Sequence, residues 1–165
     1  MAAAEYHDPP SSPIRPTLDG EVTSFFEWLG AGVVRMDGRS GAMHGGTPLI
    51  QELHYGCDGL NFYLRLDFEA GVESSLPGMQ VRIIAGATVL WIRLEKGRAE
   101  VVGGAADGTA VAYRKCLEVC LPLLSAGVQP DDVLKLQVSL WNEGLPVDSL
   151  PVQGWLECPT ADPSD

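Results

Sequence analysis

Leu60-Asn61-Phe62-Tyr63-Leu64-Arg65-Leu66-Asp67-Phe68 decides the fold class of this 165-residue chain. Every even position carries a large apolar side chain, and the odd positions carry Asn, Tyr, Arg and Asp. A period of two places alternate side chains on opposite faces of an extended backbone, so the stretch reads as a half-buried β-strand. Upstream, Leu49 to Tyr55 is a second candidate strand. Cys57-Asp58-Gly59 between the two suits a tight hairpin turn, because Asp and Gly tolerate positive φ.

The same grammar continues downstream. Met79 to Ala85 and Thr88 to Glu95 flank Gly86-Ala87, Lys96-Gly97 leads into Arg98 to Val102, and Asp107-Gly108 precedes Thr109 to Lys115. Leu117, Val119 and Leu121 alternate with Cys116, Glu118 and Cys120. Leu134, Leu136, Val138 and Leu140 alternate with Lys135, Gln137, Ser139 and Trp141. A last strand is expected from Val152 to Cys158. Helical turns are expected only at Thr23 to Leu29 and Pro122 to Ala126. Eight or nine short strands with turn chemistry between them predict an all-β fold, an antiparallel β-sandwich over residues 17–159. Residues 1–16 hold four of the 12 prolines and read as a flexible Pro/Ser-rich leader, and residues 160–165 as a disordered tail.

The length allows one domain with a sizeable core, and 45% hydrophobic residues suit a globular protein. A net charge of -11 argues against nucleic acid or an anionic membrane surface as partner. No stretch is apolar enough to span a bilayer, and the first residues lack the pattern of a signal peptide, so a cytoplasmic location is expected. Cys57, Cys116, Cys120 and Cys158 show no CxxC spacing. Cys116 and Cys120 would stand about 13 Å apart along a strand, too far for a mutual disulfide, so reduced thiols are expected and zinc is not.

Three parts of the chain together carry a resemblance. They are Leu18-Asp19-Gly20-Glu21-Val22-Thr23-Ser24-Phe25-Phe26-Glu27-Trp28-Leu29-Gly30-Ala31-Gly32, then Gly41-Ala42-Met43-His44, then the run from Glu52 to Phe68. Val119-Cys120-Leu121-Pro122-Leu123 and Asp148-Ser149-Leu150-Pro151-Val152-Gln153-Gly154 add late features. The combination resembles the C-terminal accessory domain of bacterial family 57 glycoside hydrolases. More distantly it is similar to the sandwich group of family 9 carbohydrate-binding modules, DOMON domains and the glucodextranase C-terminal domain. The resemblance implies a carbohydrate-binding-module-like sandwich that accompanies a catalytic domain. It covers about Pro16 to Pro159. The catalytic domain of those enzymes is not matched, so no enzyme activity carries over.

Three tryptophans are the candidate ligand contacts. Trp91, Trp141 and Trp155 all fall on the less apolar parity of their strands, and a flat indole suits the apolar face of a pyranose ring. The bland alternative is that they cover the sheet's outer face or pack against another domain. Trp28, among Phe25, Phe26 and Glu27, reads as core. Asp19 and Glu27 are candidate calcium ligands, since some members of the wider sandwich group bind calcium near this segment. Otherwise Asp19 shapes a turn and Glu27 caps a backbone group or pairs with Arg. His44 and His54 read as hydrogen-bonded structural residues, and Asp131-Asp132 as a solvated turn. The expected function is a non-catalytic accessory module binding an α-glucan or oligosaccharide, with a purely structural packing module as the alternative.

Overall fold

The computed structural model describes residues 5–21, 25–36, 49–104, 107–129, 132–151 and 153–160. They form twelve strands and one 3-10 turn. The strands are β1 (Glu5–Asp8), β2 (Gly32–Met36), β3 (Ile50–Cys57), β4 (Asn61–Phe68), β5 (Gln80–Ala85), β6 (Thr88–Glu95), β7 (Arg98–Gly103), β8 (Ala110–Tyr113), β9 (Leu117–Pro122), β10 (Val133–Asn142), β11 (Leu145–Leu150) and β12 (Leu156–Pro159). The 3-10 turn is Phe25–Trp28. One sheet has the order β1-β2-β3-β4-β9-β8, and the second β11-β10-β5-β6-β7, all antiparallel. The short strand β12 pairs with Val133–Leu136 of β10, while β11 pairs with Val138–Asn142. These two strands therefore lie in tandem along β10, whose other side is taken by β5.

The period of two translates directly into layers. Phe62, Leu64 and Leu66 of β4 are at most 1% exposed, and so are Leu134, Leu136, Val138 and Leu140 of β10. Val81, Ile83 and Ala85 of β5, Leu90, Ile92 and Leu94 of β6, and Leu117, Val119 and Leu121 of β9 complete one core between the sheets. Burying each large aliphatic side chain contributes roughly 1.5–3 kcal/mol. The β3–β4 hairpin is closed as Asp and Gly dictate. The Asp58 carboxylate accepts the N–H groups of Leu60 at 2.9 Å and Asn61 at 2.8 Å, and Gly59 adopts φ +91°.

The structure departs from the sequence reading in four places. Residues 5–16 are not a free leader: β1 pairs with β2, and Ile14 is 3% exposed. Ile14 packs with Trp28, Ala31 and Tyr63 in a second apolar cluster on the outer face of the first sheet. That cover changes β4 as well, because Tyr63 and Arg65, on the parity expected to face water, are buried. Leu145–Leu150 is a strand that the alternation did not indicate, and the last strand begins at Leu156 rather than Val152. Finally, Thr160 is buried, with its hydroxyl donating to the Asp132 carbonyl, while the rest of the expected tail, residues 161–165, lies outside the described residues. His44 and Asp131 lie outside the described residues.

Candidate functional site

The outer face of the second sheet is built from the odd positions of β6 and β10 and the even positions of β5. Trp91 of β6 stands opposite Arg82 of β5, and Trp141 of β10 stands opposite Gln80 of the same strand. One strand thus separates the two tryptophans, and their rings meet across it. The centroids are 5.6 Å apart with planes inclined at 62°. Each indole sits at an irregularity of its strand. The β6–β7 register shifts between Trp91 and Ile92, and the β10–β11 register shifts between Leu140 and Trp141. Bulges of this kind bend a strand and re-aim its side chains. Trp91 has Gly103 as its partner across the ladder, where even an added Cβ would make only ordinary contact with the ring.

The result is an open cleft of about 750 Å³ lined by Trp91, Trp141, Gln80, Val102, Glu143 and glycine backbone. The Arg82 guanidinium lies over both rings, 5.8 Å from the Trp91 centroid and 5.0 Å from that of Trp141. The Trp141 indole N–H donates to Ser139 Oγ at 2.8 Å, so its polar edge is satisfied within the protein. The Arg82 Nε is buried without a hydrogen-bond partner, and the arginine ion pairs among the described residues belong to Arg15, Arg35, Arg65 and Arg93.

Of the three tryptophans, the structure brings Trp91 and Trp141 together and leaves Trp155 apart. Trp155 is 48% exposed and borders a separate depression of about 450 Å³ with Gly86, Val128, Val133 and Lys135. Trp28 is buried at 5% exposure, as its aromatic setting indicated. It lies under no ligand cleft but against His54, edge-on at 6.4 Å, and beneath Arg65 at 5.4 Å.

That covered face holds the densest charge cluster. Arg65 grips Asp67 through two hydrogen bonds, 3.1 Å from Nε and 3.0 Å from Nη2. His54 Nε2 lies 2.9 Å from Glu52 and 2.8 Å from Arg65 Nη2. Burial pushes the Asp67 carboxyl up, but the hydrogen bonds from His54 and Arg65 outweigh it and hold it below its ordinary value. Glu52, His54 and Asp67 converge closely enough to hold a cation. The guanidinium of Arg65 already fills that role, so the set reads as an ion-pair network.

Asp19 and Glu27 do not fit calcium. Asp19 Oδ1 accepts the Glu21 N–H at 2.9 Å, and Glu27 Oε1 accepts the Thr17 N–H at 3.4 Å. Among the described residues neither joins a group of three convergent acidic, His or Cys ligands, whereas calcium takes six to eight oxygens. They shape the turn and cap the backbone instead.

Sequence reasoning missed two buried carboxylates that tie segments together. Glu118 Oε1 accepts the N–H groups of Asp19 at 3.1 Å and Gly20 at 2.6 Å. Asp148 Oδ2 accepts those of Leu49 at 2.6 Å and Ile50 at 2.9 Å, joining β11 to the start of β3. Burial raises both carboxyl groups above their ordinary values, against the pull of those N–H donors. Their second oxygens, Glu118 Oε2 and Asp148 Oδ1, are buried without partners. Gly20 is required at its end of the first clamp: it adopts φ +77°, and a Cβ there would lie 2.6 Å from the Arg114 nitrogen.

Compared with family models, with curated proteins and with solved structures, the chain matches none. Among the described residues no helix is long and apolar enough to cross a membrane.

Proposed function

We propose that this chain is a non-catalytic glycan-binding module whose ligand sits in the Trp91–Trp141 cleft. One observation carries the reading: two bulged strand positions, on either side of β5, turn two indoles into the same open cleft. A pair of rings at 62° is a corner, which takes one pyranose ring face-on against one indole and edge-on against the other. Gln80, Glu143 and the backbone of Gly103 and Gly144 line the same cleft and supply partners for hydroxyl groups. An α-glucan or its oligosaccharides is the ligand that the family 57 resemblance points to, with a catalytic domain as the neighbour. The two buried carboxylates, Glu118 and Asp148, are each engaged with main-chain N–H groups, which supports a non-catalytic role.

The test is titration of tryptophan fluorescence with soluble starch, pullulan and dextran, alongside Trp141→Ala. A saturable change lost in the variant is the expected outcome. No change with any glucan at millimolar sugar removes the reading. A structural packing role has its own support at one end of the sandwich. Leu60 and Leu124 are 72% and 82% exposed there, brought together by the Leu123 N–H donating to the Leu60 carbonyl.

A further inference from the structure

Cys57 closes β3 in the first sheet and Cys158 lies in β12 of the second. The two meet at one point. Cys57 Sγ donates to the Pro159 carbonyl at 3.0 Å, and Cys158 Sγ lies 3.7 Å from the same oxygen. Both residues are buried, at 7% and 0% exposure.

The two sulfurs are chemically unequal. The neighbouring Cys158 draws the Cys57 thiol down to about 7, helped by Gly59 and against burial and Asp58. Cys158 moves the other way, raised by the neighbouring Cys57 and by its burial. A pair of this kind offers a nucleophile and a resolving thiol gathered at one carbonyl oxygen.

The other two cysteines lack this arrangement. Burial, Glu118 and Asp67 push the Cys116 thiol up to about 12, and burial and Asp58 raise Cys120. All four are free thiols in this structure.

We propose that Cys57 and Cys158 form a reversible disulfide that staples β12 to the first sheet. The Cys57 thiolate attacks one sulfur of a small-molecule disulfide such as oxidised glutathione, forming a mixed disulfide and expelling one thiolate. Cys158 releases its proton to water and attacks Cys57 Sγ, expelling the second thiolate. One external S–S bond breaks and one internal S–S bond forms. The protein loses two electrons, the external disulfide gains them, and the two cysteine protons end on the two released thiols.

Access comes from the shortness of β12, whose four residues pair only with Val133–Leu136. Short edge elements open locally at low cost. The bond would close a loop of about 100 residues, the range in which a cross-link most restricts the unfolded chain.

The full chain is equilibrated over a range of reduced to oxidised glutathione, trapped by alkylation in denaturant and mapped by mass spectrometry. The expected result is one linkage, between the peptides carrying Cys57 and Cys158, and a melting temperature higher by about 5 °C or more than that of the reduced protein. A Cys116→Ser/Cys120→Ser double variant should oxidise identically, and Cys158→Ser should stop at a glutathione adduct on Cys57. Alkylation of both thiols at every redox ratio overturns the proposal. So does a linkage scrambled among the four cysteines, or a melting temperature that does not rise. The wild-type chain carries the first measurement, so a poorly folding variant does not blunt it.

Discussion

The two outer faces of the sandwich use the same pair of side chains to different ends. On the first sheet Trp28 lies against Arg65, and on the second Trp91 and Trp141 lie against Arg82. Arg65 is 8% exposed, holds Asp67 with two hydrogen bonds and is covered by Trp28, which is itself buried together with Ile14 and Ala31. Arg82 has neither a roof nor an ion pair among the described residues, and its two indoles border an open cleft. An indole–guanidinium stack is therefore not a site in itself. It becomes available for binding only where no segment of the chain has been laid across it.

That contrast can be broken from its covered side first. Trp28→Ala should cost about 3 kcal/mol in denaturant unfolding, as for other large-to-small core changes, while glucan titration of the folded variant stays unchanged. Glu118→Ala removes the acceptor for two N–H groups and should cost about 2 kcal/mol by the same measurement.

The pH profile separates the buried carboxylates. Asp67 is held below its ordinary value, so its contribution is complete above the unfolded value of about 3.9 and is lost as pH falls through the folded one. Glu118 and Asp148 are raised, so theirs is complete below the unfolded values of about 4.3 and 3.9 and is lost as pH rises through the folded ones. Melting temperature against pH should accordingly show a smaller acid-side fall in Asp67→Asn and a smaller fall toward neutral pH in Glu118→Gln, where Asp148 still contributes.

On the open side the effects are smaller and belong to binding. Trp141→Ala should weaken glucan binding by about tenfold, or 1.4 kcal/mol, with a stability change of about 1 kcal/mol. Trp155→Ala, outside that cleft, should change either quantity by about 0.5 kcal/mol or less. A larger loss of binding at Trp155 than at Trp141 would move the ligand to the other depression.

The fold was legible where large aliphatic residues followed a strict alternation, as in β4, β6 and β10, since one apolar face is enough to set a strand. It was not legible where burial depended on something laid over the strand. β1 carries Glu, Tyr, His and Asp and has no apolar face of its own, so its pairing with β2 leaves no periodic trace. β11 hides behind a proline and an aspartate, and Asp148 is buried because it serves the backbone of another strand. At the candidate site, parity gave the outward direction of Trp91 and Trp141. Their adjacency needed the order β10-β5-β6, which no local pattern encodes. The same holds for Cys57 and Cys158, brought together only by the closure of the two sheets.

The tandem placing of β11 and β12 along β10 also bears on self-association. A sheet edge invites another chain when it offers a long unbroken row of N–H and C=O groups. Here the edge is made of two short strands, ending at Leu150 and beginning again at Leu156, and Pro146, Pro151 and Pro159 bring no N–H donor to it. That edge of the second sheet is thus a broken template, a poorer one for a neighbouring strand than a single long strand would be.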